Sequence, residues 1–238
     1  MELTMKVGMG VLFFFVLFFS VASAGDDVTL FREEFNDLEN WRELTFEKIE
    51  RASTYAAEKG TLIAESHDSA SGLIYKKSFD VYTHPMAAWR WKVDNVYRKG
   101  DAATKSGDDY SIRVYIVFQY NPEKAGFAKT IKYKAARLLF GEYPPDSSLN
   151  YVWANRKQNE RIMISPYTDQ SRMVLLQAGE EKSGIWVDEE VNIREDYKKA
   201  FGKNPPTRAS LAIMNDSDNT GERSRSYLDF IRIYRKEP

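Results

Sequence analysis

The chain has 238 residues, with 34 Lys and Arg against 35 Asp and Glu for a net charge of −1, and no cysteine. That balance gives no general electrostatic pull toward nucleic acid or a membrane surface. The lack of cysteine excludes disulfides, thiolate metal sites, a cysteine nucleophile and lipid attachment through cysteine.

Residues 1–24 read as a secretory leader. Lys6 supplies the positive start, residues 11–19 form an apolar run, and Ala22-Ser23-Ala24 is a small-x-small cleavage pattern. The run is shorter than the roughly 20 residues that a spanning helix needs. Residues 25–238 then form one mature domain with no transmembrane segment. A secreted chain without disulfides must be held by its core alone, which suits a bacterial periplasm or a secreted bacterial protein.

Along the mature chain, strands are expected at 28–35, 47–50, 54–58, 61–66 and 71–79, with Trp41 buried in a turn after the first. Residues 86–93 alternate, which places Trp89, Trp91 and Val93 on one face and Arg90, Lys92 and Asp94 on the other. The strand at 110–120 alternates equally clearly. Tyr110, Ile112, Val114, Ile116, Phe118 and Tyr120 face a core, and Arg113, Tyr115 and Gln119 face away.

Asn121-Pro122-Glu123 opens an amphipathic helix expected over about 122–140. Its apolar face carries Phe127, Ile131, Ala135 and Leu138. Further strands are expected at 149–154, 161–164, 172–178, 186–191, 208–214 and 226–234. A short helix at about 194–201 is stopped by Gly202 and Pro205-Pro206. Many short strands and two helices predict an all-β fold with minor helices, an antiparallel jelly-roll sandwich.

The polar faces of two strands offer Arg90, Lys92, Arg113 and Tyr115, and Tyr151, Trp153 and Asn155 alternate on a third. Together they make a basic, aromatic surface suited to an acidic polysaccharide or another anionic ligand. Solvated residues, or salt bridges to Asp94 and Asp109, are the competing reading. Asp108 and Asp109 are adjacent on an extended segment and point oppositely, so one of the two faces a cleft.

In the loop 215–221, Asp216, Asp218, Thr220 and Gly221 match positions 1, 3, 5 and 6 of an EF-hand. Tyr227 stands where the bidentate Glu belongs, and no helices flank the loop. Two readings stay open: a hairpin turn, or a calcium site using Asp216, Asp218 and Asn219 with carboxylates from elsewhere. The two histidines, His67 and His84, form no zinc motif, and no G-x-S-x-G elbow or phosphate-binding glycine loop is present.

Several ordered motifs carry a resemblance: Trp89-Arg90-Trp91-Lys92-Val93-Asp94-Asn95, Gly107-Asp108-Asp109-Tyr110, Tyr151-Val152-Trp153-Ala154-Asn155 and Asp216-Ser217-Asp218-Asn219-Thr220. The mature chain resembles the bacterial secreted domain-of-unknown-function family numbered 3047. The resemblance implies an exported single-domain protein of unassigned activity. The sheet pattern is also similar to concanavalin-type jelly rolls, which include glycan-binding modules and polysaccharide lyases.

The expected function is a module that binds a glycan or envelope polymer through Arg90, Asp109, Arg113, Tyr115, Tyr151, Trp153 and Asn155, with calcium as a candidate ion. A polysaccharide-cutting enzyme with Asp109 or Tyr115 as acid or base is one alternative. A structural envelope protein is the other.

Overall fold

The computed structural model describes residues 27–124, 133 and 143–237. The expected leader lies outside them, as does most of the helix expected over 122–140, of which Pro122–Lys124, a 3₁₀ turn, and Tyr133 are described.

Among the described residues, thirteen strands are distributed over two facing sheets. The six-stranded sheet runs β11 (Val187–Asn192), β6 (Met86–Val93), β13 (Arg223–Arg235), β4 (Thr61–His67) and β3 (Thr54–Glu58). β1 (Val28–Glu33) pairs with the C-terminal half of β13. The seven-stranded sheet runs β2 (Trp41–Leu44), β5 (Ala70–Asp80), β12 (Arg208–Asp216), β7 (Arg113–Phe118), β8 (Ser147–Ala154), β10 (Thr168–Ala178) and β9 (Ile162–Ser165).

The all-β sandwich is as the sequence predicts, with differences in detail. β8 and β10 pair in parallel. Residues 47–50 form turn and bend rather than a strand, and the short β2 replaces the expected turn at Trp41.

Alternation explains how the sheets meet. Trp89, Trp91 and Val93 of β6 and Ile112, Val114, Ile116 and Phe118 around β7 are all fully buried in one core. Tyr151 and Trp153 of β8 join it from the facing sheet. Their ring centroids lie 5.3 Å from Trp89 and 5.9 Å from Trp91, respectively. Fully burying each such ring contributes about 2–3 kcal/mol, so this quartet adds on the order of 10 kcal/mol of gross hydrophobic stabilisation where the two sheets meet.

The helix α1 (Ile193–Phe201) closes one end of the core. Asn192 caps it by accepting from the N–H groups of Arg194 and Glu195, and Gly202 at φ 68° ends it. Tyr197 of α1 packs edge-on against Phe118 at 4.6 Å.

The alternation breaks at both ends of β7. Tyr110 does not continue the inward face. It lies in a second cluster with Ala102, Val152, Ala154 and Met173, where the loop 95–112 folds over the outer face of the seven-stranded sheet. Its hydroxyl reaches Met173 Sδ at 3.1 Å. Tyr120 packs instead on Tyr133 and Tyr143, with centroids 4.2 and 5.2 Å away. The loop needs Gly100, because a Cβ there would fall 2.0 Å from the Asn155 amide nitrogen.

Candidate functional site

Beyond the loop 95–112, the outer face of the seven-stranded sheet stays open. On β12 it presents Ser210, Ala212 and Met214; Ala212 sits between Ile74 of β5 and Tyr115 of β7, and Ser210 is paired with Val117. Small side chains at the middle of a sheet leave a low floor between taller neighbours. The result is a trough of about 680 Å³ with Arg42, Leu44 and Phe46 on one side and Tyr143 and Pro144 on the other. Tyr115 rises from the floor, half-buried, with its hydroxyl 3.6 Å from Met214 Sδ. Burial pushes its hydroxyl above the ordinary tyrosine value despite the nearby Arg113. It is therefore a neutral phenol near pH 7, fit to hydrogen-bond and stack but not to act as a base.

One end of the trough abuts a buried charge cluster. Arg113 stands two residues from Tyr115 on the same face, its guanidinium 4.8 Å from the Tyr110 ring centroid and 5.9 Å from that of Tyr115. It pairs with Asp216 and, at 3.4 Å, with Asp108, and all three are at most 5% exposed. The carboxylates around it hold its guanidinium charged. Burial drives the Asp216 carboxyl well up; Arg113 opposes this, and the charges of Asp109 and Asp108 add to it.

Asp109 is fully buried and turns the other way. It accepts from Asn219 Nδ2 at 2.8 Å, Asn219 N at 3.3 Å and Thr220 N at 2.6 Å. The two adjacent aspartates thus serve opposite sides, one paired with an arginine and one clasping a loop.

The structure divides the residues expected to share a ligand face. Arg90 and Lys92 lie on the outer face of the six-stranded sheet, whereas Arg113 and Tyr115 belong to the other sheet. Two strands with the same polar-out pattern sit in different layers here, so their polar faces point apart.

Tyr151 and Trp153 are fully buried between the sheets. The Tyr151 hydroxyl donates to Asp196 at 3.1 Å, and Trp153 Nε1 donates to the Gly179 carbonyl at 3.1 Å. Neither offers a ring to a ligand. β8 is covered on both faces, which hides which side is the inner one.

Asn155 is also buried. It accepts from Tyr97 N at 2.8 Å and donates to the Asp109 carbonyl at 2.6 Å, so it fastens the loop 95–112. Arg113, buried and already paired, is not open to a ligand's carboxylate. Of the seven expected ligand residues, Tyr115 alone lines the trough. Its partners Arg42, Phe46 and Tyr143 escape the sequence because Arg42 lies in the short edge strand β2, where a turn is expected, and Phe46 and Tyr143 flank strands without a motif.

Asp109, Asp216 and Asp218 each place a carboxylate oxygen within 4.8 Å of the other two. Hard oxygen donors suit calcium or magnesium rather than zinc. Three oxygen donors this close together fit a divalent cation, which would favour their ionised forms. Asn219, expected as a ligand, is turned elsewhere: its Nδ2 donates to Asp109 and its Oδ1 accepts from Tyr167 at 3.0 Å. Asp109 takes its place in the set.

The sequence family described as "Protein of unknown function (DUF3047)" matches residues 39–232. No curated protein matches the chain. Among solved structures, it is similar to the seed lectin of Lotus tetragonolobus (12% identity, 87% of this chain and 99% of that one, TM-score 0.41). It is similar also to laminarinase from Flavobacterium sp. UMI-01 (13% identity, 87% and 100%, TM-score 0.38) and to the Emp47p carbohydrate recognition domain (11% identity, 92% and 100%, TM-score 0.41). Among the described residues, no helix is long and apolar enough to cross a membrane.

Proposed function

The chain belongs to the DUF3047 family, and we propose from its own geometry that it is a saccharide-binding module taking a segment of a glycan or envelope polymer along the trough. The observation that carries this is an open trough of about 680 Å³ whose floor is small and whose sides are aromatic. Phe46, Tyr115 and Tyr143 present ring surface of the kind that packs on the C–H face of a sugar, and Arg42, Gln119 and Ser148 supply hydrogen bonds to hydroxyls. With the leader read at residues 1–24, the site of action is the bacterial envelope or its exterior.

Binding is favoured over cleavage by the trough's lining. Its described residues include no carboxylate, and a glycosidase of the common kind needs two, about 5–9.5 Å apart across the scissile bond. Asp109, the sequence's candidate acid, is buried and occupied with the loop 216–221.

A calcium ion held by Asp109, Asp216 and Asp218 is a second element of the proposal. It would bring positive charge to the carboxylate cluster and fasten that loop beside the trough, with no part in a reaction step.

The test is a glycan-array screen followed by titration of the best saccharide. Tyr115→Ala removes the ring and Ser210→Trp fills the floor, and each is expected to weaken binding at least about tenfold while the fold persists. Unchanged affinity in both variants would place the ligand elsewhere.

A further inference from the structure

The outer face of the six-stranded sheet carries a separate arrangement. Lys92 of β6 sits opposite Tyr227 of β13, with its Nζ 4.1 Å from the Tyr227 ring centroid and 5.3 Å from that of Trp186. Arg90 flanks Trp186 at 5.5 Å and Arg225 flanks Tyr227 at 5.6 Å, so cations and rings alternate along a strip. Both rings are only partly covered.

At Arg225 the strip opens into a cleft of about 620 Å³, whose lining includes Arg51, Glu65, His67 and Arg223. Behind the cleft, on the inner face of the same sheet, Ser66, Ser224 and the Tyr97 hydroxyl form a buried triangle with edges of 2.7, 3.0 and 2.6 Å, which ties β4 to β13 and keeps the cleft's outer residues in register.

The charges around the cleft differ in their commitments. Arg51 pairs with Asp68 at 3.4 Å and Arg225 with Glu65 at 3.1 Å, both at the surface, where such pairs hold weakly and exchange readily. Asp94 accepts the Tyr227 hydroxyl at 3.0 Å. Arg223 is exposed and pairs with no carboxylate among the described residues. A guanidinium fork with no anion, beside a second one in a weak pair, matches an oxyanion in the two-pronged geometry that arginine favours. A bare anion would not need the strip. A sugar ring bearing an acidic substituent uses both parts, with its face on Tyr227 and Trp186 and its charge in the cleft.

We propose that the strip from Trp186 to Arg225 and the cleft at Arg223 form a second saccharide site, specific for an acidic sugar carrying a carboxylate or a sulfate. It lies on the sheet opposite the trough and stands whether or not the trough binds. The chain's net charge of −1 gives no long-range attraction for a polyanion such as nucleic acid, so recognition here is local and depends on the sugar ring as well as the charge.

The test titrates the full chain with an oligogalacturonate, a sulfated galactan oligomer and a neutral galactan oligomer of equal length, using wild type, Arg223→Ala, Tyr227→Ala and Ser210→Trp. At least one acidic oligomer is expected to bind about tenfold or more tighter than the neutral one. That preference is lost in Arg223→Ala and the affinity falls in Tyr227→Ala, whereas Ser210→Trp, which blocks only the trough, keeps the tighter binding of the acidic oligomer. Inorganic sulfate should compete. Arg223 and Tyr227 are surface residues, and unchanged unfolding midpoints verify that the variants fold. The proposal is overturned if neither acidic oligomer is preferred, if Arg223→Ala binds like wild type, or if Ser210→Trp abolishes the preference, which would assign the acidic sugar to the trough.

Discussion

The carboxylate of Asp109 holds the backbone N–H of Thr220 at 2.6 Å, joining two loops that lie 111 residues apart in the chain. Asp109 is fully buried and Thr220 nearly so, so this contact is made away from water. Replacing Asp109 with Ala strands the Thr220 N–H and loosens Asn219. Asp109→Ala should lose about 2–4 kcal/mol in urea unfolding, with Asp109→Asn intermediate because an amide oxygen can still accept. A loss under 1 kcal/mol would mean that the two loops are held by something else.

Arg113 is structural by position. Replacing it with Met keeps much of its volume but leaves Asp216 and Asp108 buried without their guanidinium. Breaking a buried pair from one side costs about 3–5 kcal/mol. Arg113→Met is therefore expected to be destabilised by that amount, whereas Arg223→Ala, at an exposed unpaired position, should stay within about 0.5 kcal/mol of wild type. Similar stability of Arg113→Met and wild type would contradict the buried pairing.

Calcium should raise the unfolding midpoint of the wild type, since an ion bound at a hundred times its Kd adds about 2.7 kcal/mol. Asp218→Asn removes one of the three clustered carboxylates without touching the Arg113 pairs, and it should abolish most of that response. A wild type indifferent to millimolar calcium and magnesium would remove the ion from the account.

Asp196 gives a pH dependence of defined sign. Burial raises its carboxyl, with the Tyr151 hydroxyl and Arg161 opposing. In the folded chain it therefore keeps a proton at pH values where the unfolded chain has lost it. The stability it contributes is full below the ordinary Asp value of about 3.9 and is lost as pH rises through the raised value. Asp196→Asn, which cannot ionise, should show a flatter fall of unfolding midpoint over this range than the wild type. Parallel profiles for the two would show that Asp196 does not titrate in that window.

How much of this was legible in the sequence depends on what covers each strand. β6 and the middle of β7 have one covered face and one open face, so strict alternation located Trp89, Trp91, Val114 and Ile116 correctly. β8 is covered twice, by the opposite sheet and by the loop 95–112, and every residue from Leu149 to Ala154 is buried. Alternation survives there but no longer says which face is inner, so the pattern alone does not separate Tyr151 and Trp153, which face the core, from an outward pair. The separation of Arg90 from Arg113 has another cause, because a period of two reports a strand's own faces and not the sheet it joins. The turn residues of 215–221 and the entrance pair Asp108-Asp109 were visible as dense in carboxylates. Their meeting in one cluster depends on Asp216 being carried to the end of β12 beside β7, which is a fact of pairing order.

Of the thirteen strands among the described residues, β12 and β13 come last in sequence, and each lies in the interior of a sheet, paired on both sides. β12 is bracketed by β5 and β7, and β13 by β6 on one side and β4 and β1 on the other. Until residues 208–235 are present, neither layer can close, and the strands already made expose edges with no neighbour. Assembly of this domain is then a late, nearly all-or-none event governed by distant pairings, slow in comparison with helical domains of its size. A chain halted before β12 should be no smaller version of the native sandwich but a collection of open edges, prone to stick to its own kind.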